Sequence, residues 1–232
     1  MGSNIYTDGT YFTNNPDWGK SDAGWKATII TQLLKKNKIS PASIIETGCG
    51  SGHILENLSR EFPNANLTGY DISPQAIAMT EELEKNNLHF YNKDIFTDQN
   101  IHTSLMLVID VLEHVDDYYS FLENLKPKSE YFILHIPLDL ACRTILKPHV
   151  LLQQRNAVGH IHYFSKEMVL WALSDKGYNV IDWEYTKPII DTQAAGNIKR
   201  AAKKILRNLS FSISPHLSAK IWGGYSMMLL AK

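Results

Sequence analysis

The distribution of apolar and polar positions predicts strands and helices in alternation along most of the chain. The clearest strand is the continuous apolar run 105–109, which stops at Asp110, as expected for a parallel strand that is buried on both faces. Similar short runs predict strands at 43–47, 67–71, 88–92, 131–136, 180–184 and 226–230. Helical spacing predicts helices at 25–36 and 53–61, and further helices that begin after Ser73, after Asp116 or Asp117, and after Ser165.

This alternation predicts an α/β fold: a doubly wound, mostly parallel sheet of seven strands with helices on both faces. We expect one domain over 1–232, in which residues 1–36 form an N-terminal lid and helix. The segments 137–164 and 187–224 are longer than ordinary connections, and such segments are usually functional. We therefore expect both of them on the substrate side of the domain.

Composition narrows the class of protein. The chain has 232 residues, of which 44% are hydrophobic, and a formal net charge of −1, which argues against nucleic acid as a general partner. Cys49 and Cys142 lack the spacing of a disulfide framework or a metal cluster. No signal peptide and no apolar stretch of membrane-spanning length is visible, so we expect a cytoplasmic protein.

A glycine-rich loop follows the first predicted strand, which ends at Glu46. The loop residues are Gly48, Cys49, Gly50 and Gly52. A strand, a tight glycine turn and a helix N-terminus together suit a nucleotide-like ligand. A loop that binds a nicotinamide dinucleotide has its third glycine one position later, where this chain has His53.

Acidic residues also follow the other strands that surround this loop. In open α/β sheets, ligands bind beyond the carboxyl ends of the strands. The carboxylate of Asp71 could accept both hydroxyls of a ribose, and that of Asp94 could accept from an adenine amine. Ile72 and Ile95 would then cover the two faces of the ring, and Asp110 ends the fourth strand at the same edge.

These residues resemble the cofactor site of class I S-adenosylmethionine-dependent methyltransferases, and the resemblance covers about 44–184. It implies S-adenosylmethionine as the cofactor, with Glu46 and Gly48 near its amino group, Asp71 at the ribose, Asp94 at the adenine and Asp110 near the methionine moiety. It also implies that the last strand inserts antiparallel between the fifth and the sixth. Many family members carry aspartate at the position of Glu46, and glutamate keeps the charge.

Two further segments, 15–18 and 22–26, together with 159–165, resemble bacterial methyltransferases that are associated with surface-glycan and secondary-metabolite gene clusters. This resemblance implies a small-molecule or glycan-like acceptor. O-methylation is favoured over N-methylation because His160 and His162, with His114 as a third candidate, offer an imidazole that could deprotonate a hydroxyl. The alternatives are a non-catalytic binding protein of the same fold and a nicotinamide-dependent reductase.

The run from Asp110 through Glu113 to His114 resembles the metal-binding run of ubiquinone-pathway O-methyltransferases and small-RNA 2′-O-methyltransferases, which begin with glutamate. Two carboxylates and an imidazole could hold Mg²⁺, although imidazole is softer than that ion prefers. Metal-free members of the broad family carry Leu-Glu-His-Val at the same place, so we expect no metal. His135, inside a predicted strand, is expected to be buried structure.

Aromatic residues are frequent before the first strand, where Tyr11, Phe12, Trp18 and Trp25 stand. An aromatic face attracts a sulfonium by cation–π interaction, so these rings are expected to form a lid over the cofactor. The alternative is that they cover an apolar edge of the sheet.

The segment 187–220 has seven basic residues and one acidic residue. Its apolar residues recur at helical spacing over 198–209, which predicts a basic amphipathic helix. The favoured interpretation is a helix that packs on the domain as a substrate lid. Docking of an anionic or lipid-linked acceptor and contact with an anionic membrane surface remain open alternatives. Nucleic acid is disfavoured because the rest of the chain has no basic stripe.

Overall fold

The computed structural model describes residues 4–192 and 198–232, and the side chains of 5–192 and 201–232. The strands are β1 (Ser43–Thr47), β2 (Asn66–Asp71), β3 (Leu88–Asn92), β4 (Thr103–Ile109), β5 (Ser129–Pro137), β6 (Val180–Thr186) and β7 (Ser226–Ala231). The helices are α1 (Asn4–Thr7), α2 (Thr10–Asn14), α3 (Lys20–Lys36), α4 (His53–Glu61), α5 (Pro74–Ala78), α6 (Tyr118–Leu125), α7 (Cys142–Leu146), α8 (His149–Val158), α9 (Lys166–Asp175), α10 (Pro188–Asp191), α11 (Ile198–Ile213) and α12 (Pro215–Trp222).

The seven strands form one sheet in the order β3-β2-β1-β4-β5-β7-β6. Strands β1 to β5 pair in parallel, as Val108 opposite Leu134 illustrates for β4 and β5. Strand β7 lies antiparallel between β5 and β6. The predicted doubly wound architecture is therefore confirmed, including the antiparallel insertion of the last strand.

The core lies on both faces of the sheet, and single strands contribute to both halves. Leu105 and Leu107 of β4 are fully buried among side chains of α3 and α4. Met106 and Val108 of the same strand pack on the other face among side chains of α6 and α9. Because side chains alternate along a strand, the apolar run that predicted β4 supplies both layers.

Helices α5, α6 and α9 begin with capping residues that the sequence indicated. The hydroxyl of Ser73 accepts a hydrogen bond from the backbone N–H three residues later, and Asp117 and Ser165 do the same. Of the two aspartates proposed for the start of α6, the cap is therefore Asp117 and not Asp116. These bonds satisfy N–H groups that a helix start leaves without partners.

Helix α3 begins at Lys20, before the predicted start at residue 25. Gly19 precedes it with φ 76°, and the backbone N–H of Ser21 donates to the carboxylate of Asp17 at 3.0 Å. The first turn is rich in polar residues, so the apolar periodicity begins after the helix does. The start is set by a left-handed glycine and an aspartate, which a search for apolar spacing does not detect.

The two long segments contain short helices: α7 and α8 lie in 137–164, and α10, α11 and α12 lie in 187–224. The predicted basic helix is α11, although the side chains of 198–200 lie outside the described residues, as do residues 1–3 and 193–197 entirely. None of the helices in the described part of the chain is long and apolar enough to cross a membrane.

Helix α11 packs on the domain by an unexpected face. Ile205, Leu206 and Leu209 are exposed, whereas Arg207 is buried and its guanidinium donates to the backbone carbonyl of Trp222 at 3.2 Å. The helix therefore does pack on the domain, as the favoured interpretation stated, but its apolar residues face the solvent.

Candidate functional site

A cleft of about 450 Å³ lies at the carboxyl ends of the parallel strands. Seven residues that the sequence assigned to the cofactor or to catalysis line it: Gly48, Asp71, Ile72, Asp94, Ile95, Asp110 and His114. The sheet topology explains why they meet, since the ends of β1, β2 and β4 are neighbours at this edge. We call this cavity the donor cleft.

The glycine loop forms the floor of the donor cleft at Gly48, and its other residues lie behind that floor. A Cβ on Gly48, where φ is 68°, would lie 2.7 Å from a methyl carbon of Val111. A Cβ on Gly50, where φ is 53°, would lie 2.5 Å from the indole of Trp18. Both positions therefore need glycine for conformation and for space, and Trp18 covers the loop.

The remaining two loop residues support the packing behind the cleft. The side chain of Cys49 is buried, and Gly52 adjoins the ring of Phe90, from which an added Cβ would lie 2.7 Å. Burial raises the pKa of the Cys49 thiol well above its ordinary value, so the thiol is neutral. Cys49 and Gly52 thus shape the turn without lining the donor cleft.

Asp71, at the end of β2, lines the donor cleft, and hydrogen bonds from nearby backbone N–H groups fix its carboxylate. One carboxylate oxygen accepts from the N–H of Gly50 at 2.9 Å and the other from the N–H of Ser73 at 2.8 Å. Burial raises the pKa of Asp71, although these two hydrogen bonds oppose the effect. Each oxygen has a second lone pair, so the carboxylate can still accept from a diol.

Asp94, Ile72 and Ile95 form the other wall. Asp94 caps a short turn by accepting from the backbone N–H of Phe96 at 2.9 Å with one oxygen. Ile72 is 42% exposed at the cleft, whereas Ile95 is almost fully buried. The wall thus combines a carboxylate with apolar surface, which suits a flat heterocycle with an amine at its edge.

Glu46 lies beneath the loop and does not line the donor cleft. It is 1% exposed, and its Oε2 has no hydrogen-bond partner among the described residues. Burial raises the pKa of Glu46 well above its ordinary value, while the ammonium of Lys26 opposes that shift. A buried carboxyl oxygen without a partner is costly, and a cationic or N–H group near the loop would relieve that cost.

Asp110 takes part in an ion-pair cluster that the sequence analysis did not find. Its carboxylate lies 2.7 Å from Nζ of Lys26 and 2.6 Å from Nδ1 of His135, and Lys26 also lies 2.9 Å from Asp22. Burial favours the neutral acid, but His135 and Lys26 outweigh it and hold the pKa of Asp110 well below its usual range. Asp110 is therefore a fixed anion at the edge of the donor cleft.

A sequence signal for Lys26 does exist. It occupies the same side of α3 as the buried residues Ala23, Ala27 and Ile30. A lysine within an apolar stripe needs a buried anion, because a charge without a partner is rarely placed in a core. The expectation that His135 is buried is confirmed, at 2% exposed, and its partner is Asp110.

The metal set that the sequence left as an alternative, Asp110 with Glu113 and His114, is not the one that the structure assembles. Asp110 turns to Lys26 and His135 instead. Glu113, His114 and His160 offer ligand atoms that all lie within 4.8 Å of one another. The physical reason is the preference of Asp110 for two cationic or N–H partners over a second carboxylate.

Glu113 is the centre of this second cluster. It is fully buried, and neither carboxyl oxygen has a partner among the described residues. Nε2 of His114 and Nε2 of His160 each lie 3.9 Å from Oε1 of Glu113. Burial, with the charge of Asp110, raises the pKa of Glu113 well above its ordinary value. The three groups are thus close but not hydrogen-bonded.

The other ring nitrogens of these histidines are occupied. Nδ1 of His160 lies 2.8 Å from the carboxylate of Asp139, and Nδ1 of His114 lies 2.8 Å from the hydroxyl of Tyr6. Both imidazoles therefore direct Nε2 towards Glu113. A carboxylate and two such nitrogens are a set that a divalent ion of intermediate softness accepts, with Asp139 orienting one ligand from behind.

The three histidines proposed for catalysis are not equivalent. His114 lines the donor cleft. The ring of His160 packs edge-on against the ring of His114, with 5.0 Å between the ring centroids. His162 packs against Tyr118, and its Nε2 lies 3.2 Å from the backbone carbonyl of Asp116. The structure thus brings His114 and His160 together, and neither His160 nor His162 lines the donor cleft.

A second cleft of about 420 Å³ adjoins the donor cleft and shares Tyr11 and Asp116 with it. Its wall includes Asn14 from α2, and Arg155 and Asn156 from α8. We call it the side cleft. It is built by the N-terminal helices and by the first long insertion, so its position could not be inferred from the strand pattern.

Over residues 22–182, more than half of its length, the chain matches the methyltransferase domain family. The chain belongs to that family. The resemblance to class I S-adenosylmethionine-dependent methyltransferases is therefore confirmed, and the nicotinamide-dependent reductase is set aside.

Similar curated proteins match this methyltransferase only locally. A malonyl-[acyl-carrier protein] O-methyltransferase of Bacillus anthracis is 39% identical over 57 residues, and one of Bacillus cereus is 33% identical over 69 residues. These stretches are 24% and 28% of this chain, and 21% and 26% of the relatives. The chain thus matches about a quarter or less of the length of these relatives.

Solved structures of the same fold match over nearly the whole chain. The magnesium protoporphyrin IX methyltransferase from Synechocystis PCC 6803, with bound S-adenosylhomocysteine, has a TM-score of 0.65 at 16% identity and covers 100% of this chain and 99% of its own. The plantazolicin methyltransferase, in complex with a monoazolic analog and S-adenosylhomocysteine, has a TM-score of 0.62 at 17% identity and covers 99% and 92%. At these identities the likeness concerns the fold.

Proposed function

We propose that this methyltransferase moves the methyl group of S-adenosylmethionine to an oxygen of a small-molecule or glycan-like acceptor. The observation that carries the proposal is the contact between two clefts, which share Tyr11 and Asp116. Methyl transfer is an in-line displacement, for which the protein mainly supplies proximity and orientation. Adjoining cavities for donor and acceptor meet that requirement.

The described residues of the donor cleft fit the cofactor. Asp71 retains acceptor capacity for a ribose diol, and Asp94 with Ile72 suits an adenine. The unpartnered oxygen of Glu46 lies beneath the loop, where it would stabilise an amino group. When bound, S-adenosylmethionine supplies a methyl group that is already activated on a sulfonium. The protein binds the cofactor, orients its methyl group towards the acceptor and keeps water away from the sulfonium.

Of the three proposed histidines, we assign the base to His114. Burial, with the neighbouring His160, lowers the pKa of His114 to about 4. The imidazole is therefore neutral at physiological pH and has an electron pair that could take up the proton of an acceptor hydroxyl, as a weaker base than a histidine of ordinary pKa. His160 would position His114 through their ring contact, and His162 would act only by shaping the same loop.

The side cleft suits an acceptor with hydroxyl or anionic groups. Asn14 and Asn156 offer amides, Arg155 offers a guanidinium, and Tyr11 offers a ring on which a sugar or a small aromatic can rest. A lipid-linked acceptor of the same chemistry would enter equally well. A cytoplasmic location and the lack of a nucleic-acid partner stay predictions.

A divalent ion at Glu113, His114 and His160 is a second candidate for how the acceptor is deprotonated. It is favoured by the two carboxyl oxygens of Glu113 that have no partner among the described residues. Such an ion would supply Lewis acidity at an acceptor oxygen. Metal analysis of the purified protein decides between the candidates. A stoichiometric metal that is lost in Glu113→Gln, with unchanged cofactor affinity, would replace the metal-free proposal.

Calorimetry with S-adenosylhomocysteine tests the donor cleft. Asp71→Asn keeps the shape of the side chain but removes the charge that would accept two hydroxyl hydrogen bonds. We expect its affinity to fall by about a hundredfold, since hydrogen bonds to charged groups contribute roughly 1.5–3 kcal/mol each. The matched control is Asp175→Asn, an exposed aspartate at the end of α9, which should bind as the wild type does. Absence of binding by the wild type would end the proposal.

The chemistry is tested with a labelled methyl group on S-adenosylmethionine and sets of hydroxylated sugars, carboxylic acids and amines. We expect label in an ether or an ester, and at least about a hundredfold slower transfer in His114→Gln at unchanged cofactor affinity. Label in the amines alone would assign N-methylation instead. Binding of S-adenosylhomocysteine without transfer to any member of the sets would favour the non-catalytic alternative.

A further inference from the structure

Three helices of the two long insertions expose a set of large apolar side chains. Helix α12 packs against both α7 and α11. Their exposed apolar residues are Ile145 and Leu146 on α7, Ile205, Leu206, Leu209 and Ile213 on α11, and Leu217 and Ile221 on α12. Ile213 is 86% exposed and Leu146 is 80% exposed. A concentration of exposed aliphatic residues of this size marks an interaction surface.

The outward orientation of α11 is fixed by specific contacts. The guanidinium of Arg207 donates to the carbonyl of Trp222, and the hydroxyl of Tyr225 donates to the carbonyl of Arg207 at 3.2 Å. Phe211 stacks on Tyr225 at 5.3 Å between ring centroids. These contacts hold the side of α11 that carries Arg207 and Phe211 against the domain, so its aliphatic side remains in water.

The two sequence stretches that carry these helices are basic. The stretch 192–232 contains seven basic residues and no acidic residue, and 140–166 contains four basic residues and no acidic residue. Within this region Arg143, Lys147 and Lys203 are exposed, whereas Lys220 pairs with Glu167 at its edge at 3.0 Å. The whole chain has a net charge of −1, so these two stretches carry an excess of basic residues that the rest of the sequence offsets.

We propose that the outer face of α7, α11 and α12 docks on an anionic lipid bilayer. Aliphatic side chains would enter the boundary between headgroups and acyl chains, and the flanking Lys and Arg side chains would contact the anionic headgroups. The proposal goes beyond the methyl-transfer function and does not depend on the identity of the cofactor or the acceptor. It also extends the surface from α11, which the sequence suggested, to α7 and α12.

Sedimentation with lipid vesicles tests the proposal on the full chain. The vesicles contain phosphatidylcholine alone or with about one third phosphatidylglycerol. We expect binding to the anionic vesicles only, which weakens as salt is added. The double substitution Leu209→Ser with Ile213→Ser should lower the partition coefficient by at least about tenfold, and Lys203→Glu should lower it by a smaller factor. The control Ile181→Ser removes an exposed isoleucine of β6 outside this surface and should bind as the wild type does.

Other outcomes overturn the proposal. Equal binding of the wild type and the double variant, or no binding to either type of vesicle, would exclude docking through this face. A dimer in solution that becomes a monomer in the double variant would assign the face to a second copy of the chain. Calorimetry with S-adenosylhomocysteine on the same samples keeps this result separate from the donor cleft, because all of these variants should retain wild-type affinity.

Discussion

The donor cleft and the outer face of α7, α11 and α12 differ in which kind of side chain they bury and which kind they expose. At the donor cleft, a charged group is buried and held by partners, as Lys26 is by Asp22 and Asp110. On the outer face, large apolar groups are exposed, as Leu146 and Ile213 are. Both arrangements are costly for an isolated chain in water.

This difference indicates that the two regions bind different kinds of partner. A cleft of fixed charges positions a small polar ligand, because its carboxylates do not have to rearrange when the ligand binds. An exposed aliphatic face is stabilised only when another surface covers it. The same domain thus combines a binding site whose charges are already in place before a ligand binds with an aliphatic face that is stabilised only when another surface covers it.

The largest expected effect lies in the buried ion-pair cluster. Lys26→Met leaves Asp110 and Asp22 without their shared cation, and we expect the free energy of unfolding to fall by about 3–5 kcal/mol. Urea denaturation measures it. The control is Lys35→Met on the same helix, whose ion pair with Glu61 is exposed and should contribute less than about 1 kcal/mol. Equal losses would show that burial of the charges does not distinguish this cluster.

The next effect is a dependence of stability on pH. The pKa of His114 is lowered to about 4, below the ordinary value of about 6.5, so the unfolded chain binds the proton more readily. The contribution of His114 is present above pH about 6.5 and is lost as the pH falls towards about 4. We expect a loss of roughly 2 kcal/mol between pH 7.5 and 5 that is missing in His114→Gln. If the free energy of unfolding depended on pH in the same way in the wild type and in His114→Gln, the lowered pKa of His114 would be contradicted.

A smaller effect concerns the aromatic rings over the donor cleft. Trp18→Leu should weaken the binding of S-adenosylmethionine by roughly fivefold to tenfold, since a cation–π contact contributes about 1 kcal/mol. S-adenosylhomocysteine has no sulfonium charge and should be affected less. Trp171→Leu, which changes an exposed tryptophan of α9, is the control. An equal change for both ligands would indicate simple coverage of the cleft instead of attraction to the charge.

The smallest effect is expected on the outer face. Ile213→Ser should change the free energy of unfolding by less than about 0.5 kcal/mol, because an 86% exposed side chain loses little water on folding. Urea denaturation without lipid measures it. A loss of several kcal/mol would mean that Ile213 is covered in solution, and the comparison between the two regions would then fail.

Much of the sheet could be predicted from the sequence, because its strands are short apolar runs with clear ends. The bounds predicted for β1, α4 and β3 agree with the structure. The acids at strand ends could also be placed together, since parallel strands deliver their carboxyl ends to one edge. The donor cleft is therefore a property of local patterns and of topology.

The side cleft, the short helices and the orientation of α11 depend on contacts between distant segments, which the sequence pattern does not reveal. The side cleft needs α2 and α8 to meet, and α7 and α10 are too short for periodicity to reveal. The amphipathic spacing of α11 indicates a helix with two faces, but it does not say which face meets the domain. That choice is made by Arg207 and its partners, which lie elsewhere in the chain.

His135 has a consequence of another kind. Its Nδ1 faces the carboxylate of Asp110, which can only accept, so that nitrogen carries the hydrogen; its Nε2 lies 2.8 Å from the hydroxyl of Thr186. Thr186 is the last residue of β6, and the second insertion starts directly after it. A single imidazole therefore connects the residue before that insertion, through Asp110, to the ammonium of Lys26. The nitrogen resonances of this ring would report on the floor of the donor cleft and on the insertion together.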